Sequence, residues 1–153
     1  MRLHHFLPAL LCLIVLSGCG PKVLTLSSYD GLKTATVTVE VADSPKERDR
    51  GLMNRTKLEV DKGMLFAFPE AITQKFWMKN TVIPLEILFF DANGDFVNAL
   101  QMTPCTADPC ELYTSSALAK YALEVIPDFR KANGIGVGWK LDVKQVGKMA
   151  KPK

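Results

Sequence analysis

The sequence predicts a mostly β domain, an antiparallel sandwich or barrel with two short helices. Three observations predict it. Short stretches of period-two alternation recur along the chain. An Asn-Gly turn at Asn93-Gly94 separates two apolar runs, a strong hairpin signal. No regular strand–helix alternation occurs, which argues against a doubly wound parallel sheet.

The elements follow in order. Ala35, Val37, Val39 and Val41 alternate with Thr34, Thr36, Thr38 and Glu40, a strand with one wet face. Ser44-Pro45-Lys46-Glu47 then reads as a capping box with proline at the first helical position, so a short helix ends near Gly51. Residues 63–68 (GMLFAF) read as a buried strand stopped by Pro69, and residues 74–80 as an aromatic-rich strand. Residues 85–90 and 96–100 flank the Asn-Gly turn. Tyr121, Leu123 and Val125 alternate with Ala122 and Glu124, another strand. Pro127 opens a short helix that Asn133-Gly134 closes. Glycines at 134, 136 and 138 read as a turn into a last strand, where Leu141 and Val143 alternate with Asp142 and Lys144.

The start of the chain has a different character. Arg2 precedes an apolar run over residues 6–16, and Leu16-Ser17-Gly18-Cys19 follows. The run is too short to span a bilayer, so it describes a secretory signal. A cysteine directly after Leu-Ser-Gly makes the segment resemble a bacterial lipoprotein signal; the competing reading is an ordinary signal with an incidental cysteine. The resemblance implies cleavage before Cys19, diacylglycerol on its sulfur and an acylated N-terminus with a chain such as palmitate. Gly20 after the cysteine then implies a lipid anchor at the outer membrane rather than the inner, with the domain facing the periplasm. The organisation expected is residues 1–18 signal, 19–32 tether and 33–148 β-rich domain. Gly20, Pro21, Ser27, Ser28 and Gly31 suggest the tether.

The 153 residues carry a formal charge of +3, too mild and too scattered for a nucleic-acid protein. Both histidines, His4 and His5, lie in the signal. A mature chain without histidine has no Ser-His-Asp triad, Cys-His dyad or His-ligated zinc of its own. Ser115-Ser116 therefore lacks a base, and no phosphate-cradling or dinucleotide glycine pattern appears. No catalytic residue, metal ligand or cofactor is assigned. Once Cys12 is removed and Cys19 is modified, Cys105 and Cys110 remain. In an exported protein such a close pair reads as a disulfide pinning a loop, since Pro104 and Pro109 mark a loop rather than the helix start of a redox pair. Half a metal site is the other reading of the pair. Asp91-Ala92-Asn93-Gly94-Asp95 begins like a calcium loop, but Met102 stands where the bidentate acid belongs, so a plain turn is favoured.

Three stretches, residues 39–55 (VEVADSPKERDRGLMNR), 63–68 (GMLFAF) and 76–91 (FWMKNTVIPLEILFFD), together resemble the domain of unknown function 192 family, small and often exported proteins. The order of Cys105, Cys110, Tyr113, residues 121–124 and Gly134-Ile135 fits it, the cysteine loop and Tyr113 resembling exported members. Glu86, where Asp is commoner, and Asn54, where an apolar residue is commoner, depart from the pattern. The resemblance implies a compact fold of the jelly-roll kind and no agreed reaction.

The most unusual constellation is Arg50, Met53, Arg55, Trp77, Met78 and Asn80. A strand over residues 76–80 puts Phe76, Met78 and Asn80 on one side and Trp77 and Lys79 on the other. Trp77 and the methionines make a soft apolar wall, the arginines offer forked donors, and Asn80 both gives and accepts hydrogen bonds. Together they suit a small, partly apolar, anionic ligand, provided the helix end at Gly51 packs beside Phe76. The blander reading is that Met and Trp fill the core and Arg50 pairs with Asp49 or Glu47. Glu86 and Glu124 are the paired carboxylates available; each alternates with apolar neighbours, so both are expected to face solvent.

The leading expectation is a lipid-anchored envelope lipoprotein, a binding or accessory module for a small anionic ligand or an envelope protein partner, with no nucleic acid. The alternatives are a carboxylate-dependent hydrolase or lyase acting on envelope polymers, and a structural envelope lipoprotein.

Overall fold

The computed structural model describes residues 22–150; the expected signal, the lipid on Cys19 and Gly20-Pro21 lie outside the described residues. Nine strands and three short helices are described. Seven strands form one curled sheet, a half-barrel of order β6 (Phe96–Met102), β5 (Leu85–Phe90), β8 (Ala119–Val125), β3 (Lys62–Ile72), β2 (Thr34–Ala42), β1 (Lys22–Ser28) and β9 (Trp139–Leu141), and β4 (Lys75–Trp77) and β7 (Leu112–Thr114) form a separate ribbon. Mostly β is the expectation met. The strand pairs are antiparallel except β2 (Thr34–Ala42) with β3 (Lys62–Ile72), which run parallel.

The tether expectation changes at its first residues. Lys22–Ser28 is β1, paired with β2 on one side and β9 (Trp139–Leu141) on the other. Leu24 and Leu26 are fully buried and alternate with the more exposed Val23, Thr25 and Ser27. This alternation was present beneath a Gly, Pro and Ser composition that suggested a linker.

Helix α1 (Pro45–Arg50) carries the capping box: the Glu47 amide donates to Ser44 Oγ at 3.3 Å, and the Ser44 amide to Glu47 Oε2 at 3.1 Å. It ends at Gly51, whose φ of 47° lies where side chains are strained. Strand β3 does not stop at Pro69. The register shifts between Ala67 and Ile72, an irregularity that accommodates a residue without an amide donor. Strand β4 is only Lys75–Trp77, pairing with β7 (Leu112–Thr114).

β5 (Leu85–Phe90) and β6 (Phe96–Met102) form the expected hairpin. Asp91 Oδ1 accepts from the amides of Asn93 at 2.8 Å and Asp95 at 2.9 Å, so its carboxylate closes the turn. The curl brings this turn to the far edge of the sheet, where Asp95 bridges to Lys140 and pairs with it at 2.8 Å. After β8 (Ala119–Val125), α2 (Phe129–Asn133) ends at Gly134. The last strand is shorter than its alternation suggests. Asp142 Oδ1 accepts from the amides of Lys144 and Gln145, and this cap starts α3 (Val143–Met149). No helix among the described residues is long and apolar enough to cross a membrane.

Both faces of β3, β5 and β8 are covered. Leu65, Leu88, Phe90, Leu123 and Val125 point into the half-barrel. Met64, Phe66, Ile87, Phe89 and Ala122 point outward, beneath Leu52, Met78 and Tyr113. Phe76 of the ribbon packs edge-on against Phe66, Phe68 and Phe89. The outer core, lying between sheet and ribbon, is where the family-like segments meet.

Candidate functional site

The turn after α1 and the strand at Phe76 do pack together. The Asn54 amide donates to the Asn80 carbonyl at 2.8 Å, both residues holding left-handed φ values of 62° and 58°. Asn80 Nδ2 lies 4.0 Å from Met53 Sδ. A glycine at 51 is needed for the approach: a Cβ there would sit 3.3 Å from the Phe66 ring, on a backbone already at positive φ.

Between these segments lies a narrow crevice of about 30 Å³, lined by Arg50, Met53, Phe66, Phe76, Trp77 and Thr81, with Glu124 among its lining. Three of the expected residues therefore meet: Arg50, Met53 and Trp77. Asn80 joins from beside the crevice as the latch on the turn. Trp77 is 50% exposed and is not core. Among the described residues, Arg50 lines the crevice without a side-chain hydrogen bond or salt bridge to the neighbouring Asp49, and its charge reaches Glu40 on β2, whose carboxyl it helps hold low.

Two expected residues lie elsewhere. Met78 is buried, against the cavity beneath the disulfide loop. The chain turns at Met78 to Thr81 instead of continuing as a strand, which carries that side chain away from Trp77. Arg55 faces a separate groove and binds Glu40 through two hydrogen bonds, Nη2 to Oε2 at 2.6 Å. That pairing holds the Glu40 carboxyl below its ordinary range.

The carboxylates correct the sequence reading most. Glu86 and Glu124 do not face solvent; they are 2% and 4% exposed. Nor do they approach one another. In the β5–β8 register Glu86 stands opposite Val125, and Ile87 stands opposite Glu124. Alternation then sends Glu86 to the half-barrel side and Glu124 to the outer face. The paired-carboxylate arrangement needed for general acid–base work does not form.

Their surroundings differ as well. Glu86 Oε2 accepts from the Arg130 amide at 2.9 Å, and Oε1 lies 3.5 Å from Arg130 Nε. Glu124 Oε2 is buried with no hydrogen-bond partner among the described residues. Burial pushes its carboxyl up to about 8, so at neutral pH it holds its proton. Gly63 fixes where it sits: a Cβ there would meet the Glu124 carbonyl oxygen at 2.5 Å, so β3 and β8 approach only because Gly63 has none. Sequence reasoning missed Glu124 as a site residue. The available signal was its partner strand, Leu-Glu-Ile-Leu-Phe-Phe, a run with no wet face.

Cys105 and Cys110 are joined, with Cα atoms 5.5 Å apart. Their loop is tied to the segment that carries Trp77. Asp108 pairs with Lys79 at 2.7 Å, and Lys79 Nζ lies 5.9 Å from the Trp77 ring centre. Ser115 is structural: its Oγ accepts from the Gln74 amide and donates to the Ala117 carbonyl. A larger groove of about 600 Å³ lies between α1 and α3. Its arginine, Arg48, is already engaged with the carbonyls of Asp43 at 2.6 Å and Ala67 at 3.0 Å.

The chain belongs to the domain of unknown function 192 family, described as "Uncharacterized ACR", whose model matches residues 28–143. The match begins within β1 and so includes part of the segment first read as tether. A solved structure from Sinorhizobium meliloti 1021, described as a "putative transcription regulator", is 31% identical with a TM-score of 0.72, covering 80% of this chain and 93% of that one. A protein of unknown function from Novosphingobium aromaticivorans DSM 12444 is 27% identical with a TM-score of 0.71, covering 84% and 89%. No curated protein matches this chain.

Proposed function

We propose that this family member is a binding module held at the cell envelope by lipid on Cys19, presenting the crevice above Glu124 to a small, partly apolar, anionic ligand. One observation carries the reading. A buried carboxyl with an unsatisfied oxygen lines an opening that Arg50 and the half-exposed Trp77 also line. Leaving such an oxygen unpaired costs about 1–3 kcal/mol, a cost that a ligand or water in the crevice offsets. The Leu-Ser-Gly-Cys segment and the Cys105–Cys110 loop support export. The jelly-roll description belongs to the same reading, since the β4–β7 ribbon overlies the curled sheet as a second layer.

Fluorescence tests the ligand half. With Trp139→Phe, Trp77 is the sole indole, and a panel of small acids, amides and amines is titrated against it. A saturable signal that Arg50→Ala weakens supports the module; no response from any compound ends it. Cell fractionation tests the anchor. The wild type belongs with membranes, and Cys19→Ala belongs in the soluble or unprocessed fraction. An unmodified wild-type chain in the soluble fraction ends that half.

A further inference from the structure

We propose that the crevice seats the free carboxylate end of a small apolar acid, with Glu124 donating a hydrogen bond from within and Arg50 supplying positive charge at the rim. The inference rests on the binding-module reading and names its ligand class.

Size sets the first limit. About 30 Å³ has room for roughly one or two waters, so it admits an end group and not a whole ligand. The rest of the molecule must lie outside, and an apolar surface is waiting there. Trp77 and Leu112 are register partners on the outer side of the β4–β7 ribbon, 50% and 56% exposed. Their inner neighbours, Phe76 and Tyr113, fill the core.

Charge sets the second limit. Besides Glu124, the ionisable side chains lining the crevice are Arg48, Asp49 and Arg50, all from α1. β3 and the ribbon contribute Phe66, Phe76 and Trp77, and Glu86 lies on the opposite face of the sheet. Arg48 is held by the Asp43 and Ala67 carbonyls, and Asp49 and Glu40 carry the nearby negative charge. Arg50 is therefore the cation that meets an end group, and its forked donors suit a carboxylate and repel an ammonium. A carboxylate needs a donor beneath it. A protonated Glu124 supplies one O–H, whereas an ionised Glu124 supplies none and repels the ligand. Burial keeps that proton in place at neutral pH. An amide end group satisfies Glu124 but leaves the Arg50 charge unused, so it binds more weakly.

Apolar acids come from two sources, a fatty chain and a peptide C-terminus. Five probes separate these from each other and from other end groups: hexanoate, hexanamide, hexylamine, N-acetylphenylalanine and N-acetylphenylalaninamide. Each is titrated against the full protein by calorimetry at pH 7 and pH 9. Hexanoate or N-acetylphenylalanine should bind at least about fivefold more tightly than its amide, and hexylamine not at all. Whichever acid binds more tightly identifies the source. Binding of the acid should weaken about tenfold at pH 9, because the proton-bearing fraction of Glu124 falls by that factor while probe and arginines keep their charge. Glu124→Gln, which offers an N–H donor at every pH, should keep the binding and lose the pH dependence. Its melting transition confirms that it folds. Arg50→Gln should weaken acids and spare amides.

Hexanamide or hexylamine binding as tightly as hexanoate overturns the inference and leaves the module reading standing. So does acid binding that is equal at both pH values in the wild type. Silence from all five probes overturns the inference, and the broader panel above then decides the module reading.

Discussion

Glu86 and Glu124 are the same residue type on adjacent strands of one sheet, both buried, and their environments are opposite. On the half-barrel side, Glu86 is enclosed by partners: the Arg130 amide and guanidinium take its two oxygens and tie α2 to β5. On the outer side, Glu124 lies under the ribbon with Oε2 unsatisfied and an opening above it. The difference teaches that burial alone does not sort structural carboxylates from functional ones. What sorts them is whether the fold itself completes their hydrogen bonds.

Substitution sharpens the contrast, because the two sites should respond with opposite sign. Glu86→Ala strips the Arg130 amide and guanidinium of their acceptor and leaves a cavity. It should destabilise by about 2–3 kcal/mol in urea unfolding. A loss under about 0.5 kcal/mol would remove the contrast. Cys105→Ser with Cys110→Ser is the next largest effect. A loop this short stabilises by roughly 2 kcal/mol. The fold should survive, because only Cys105 of the loop packs against the outer core, while Trp77 fluorescence should shift as the Asp108–Lys79 tie loosens. Glu124→Leu should move stability the other way, by about +1 kcal/mol at pH 7, since an unsatisfied buried polar group is replaced by an apolar one. Binding of any acid should be lost with it. A destabilised Glu124→Leu would show that Glu124 has structural partners after all.

The last contrast is one of slope rather than of a single value. Glu124 keeps its proton in the folded state up to about 8, whereas the unfolded chain releases it near the ordinary carboxylate range. Between those values the folded state binds more protons, so stability falls as pH rises and levels off above about 8. Glu124→Gln should lack this share of the decline. Equal slopes for wild type and Glu124→Gln between pH 5 and pH 8 would place the carboxyl in an ordinary environment.

Local chemistry was legible where it was local. The Ser44–Glu47 box, the Asn93-Gly94 hairpin and the alternation of Thr34 to Val41 appear in the structure as read. What escaped was set by distant packing. β1 was hidden because Leu24 and Leu26 sit among linker-like residues, and only its neighbours β2 and β9 make it a strand. Glu124 was misplaced because alternation tells which residues share a face, not whether that face is covered. The ribbon that covers it pairs residues 75–77, legible as part of a longer strand, with residues 112–114, a short segment with no strong signal of its own. Half of the proposed site was readable, since Arg50, Met53 and Trp77 do converge. Arg55 and Met78 diverged because Glu40 captured one and the turn after Trp77 redirected the other.

The most direct test of the central claim, that Glu124 is an open, proton-holding carboxyl, is a titration of its side-chain carboxyl carbon by nuclear magnetic resonance. The wild-type protein is followed from pH 4 to pH 10, with Glu124→Gln identifying the signal. The expected midpoint is about 8, rising further when hexanoate is bound, because the ligand favours the protonated form. A midpoint in the ordinary range for glutamate, unmoved by hexanoate, would contradict the account.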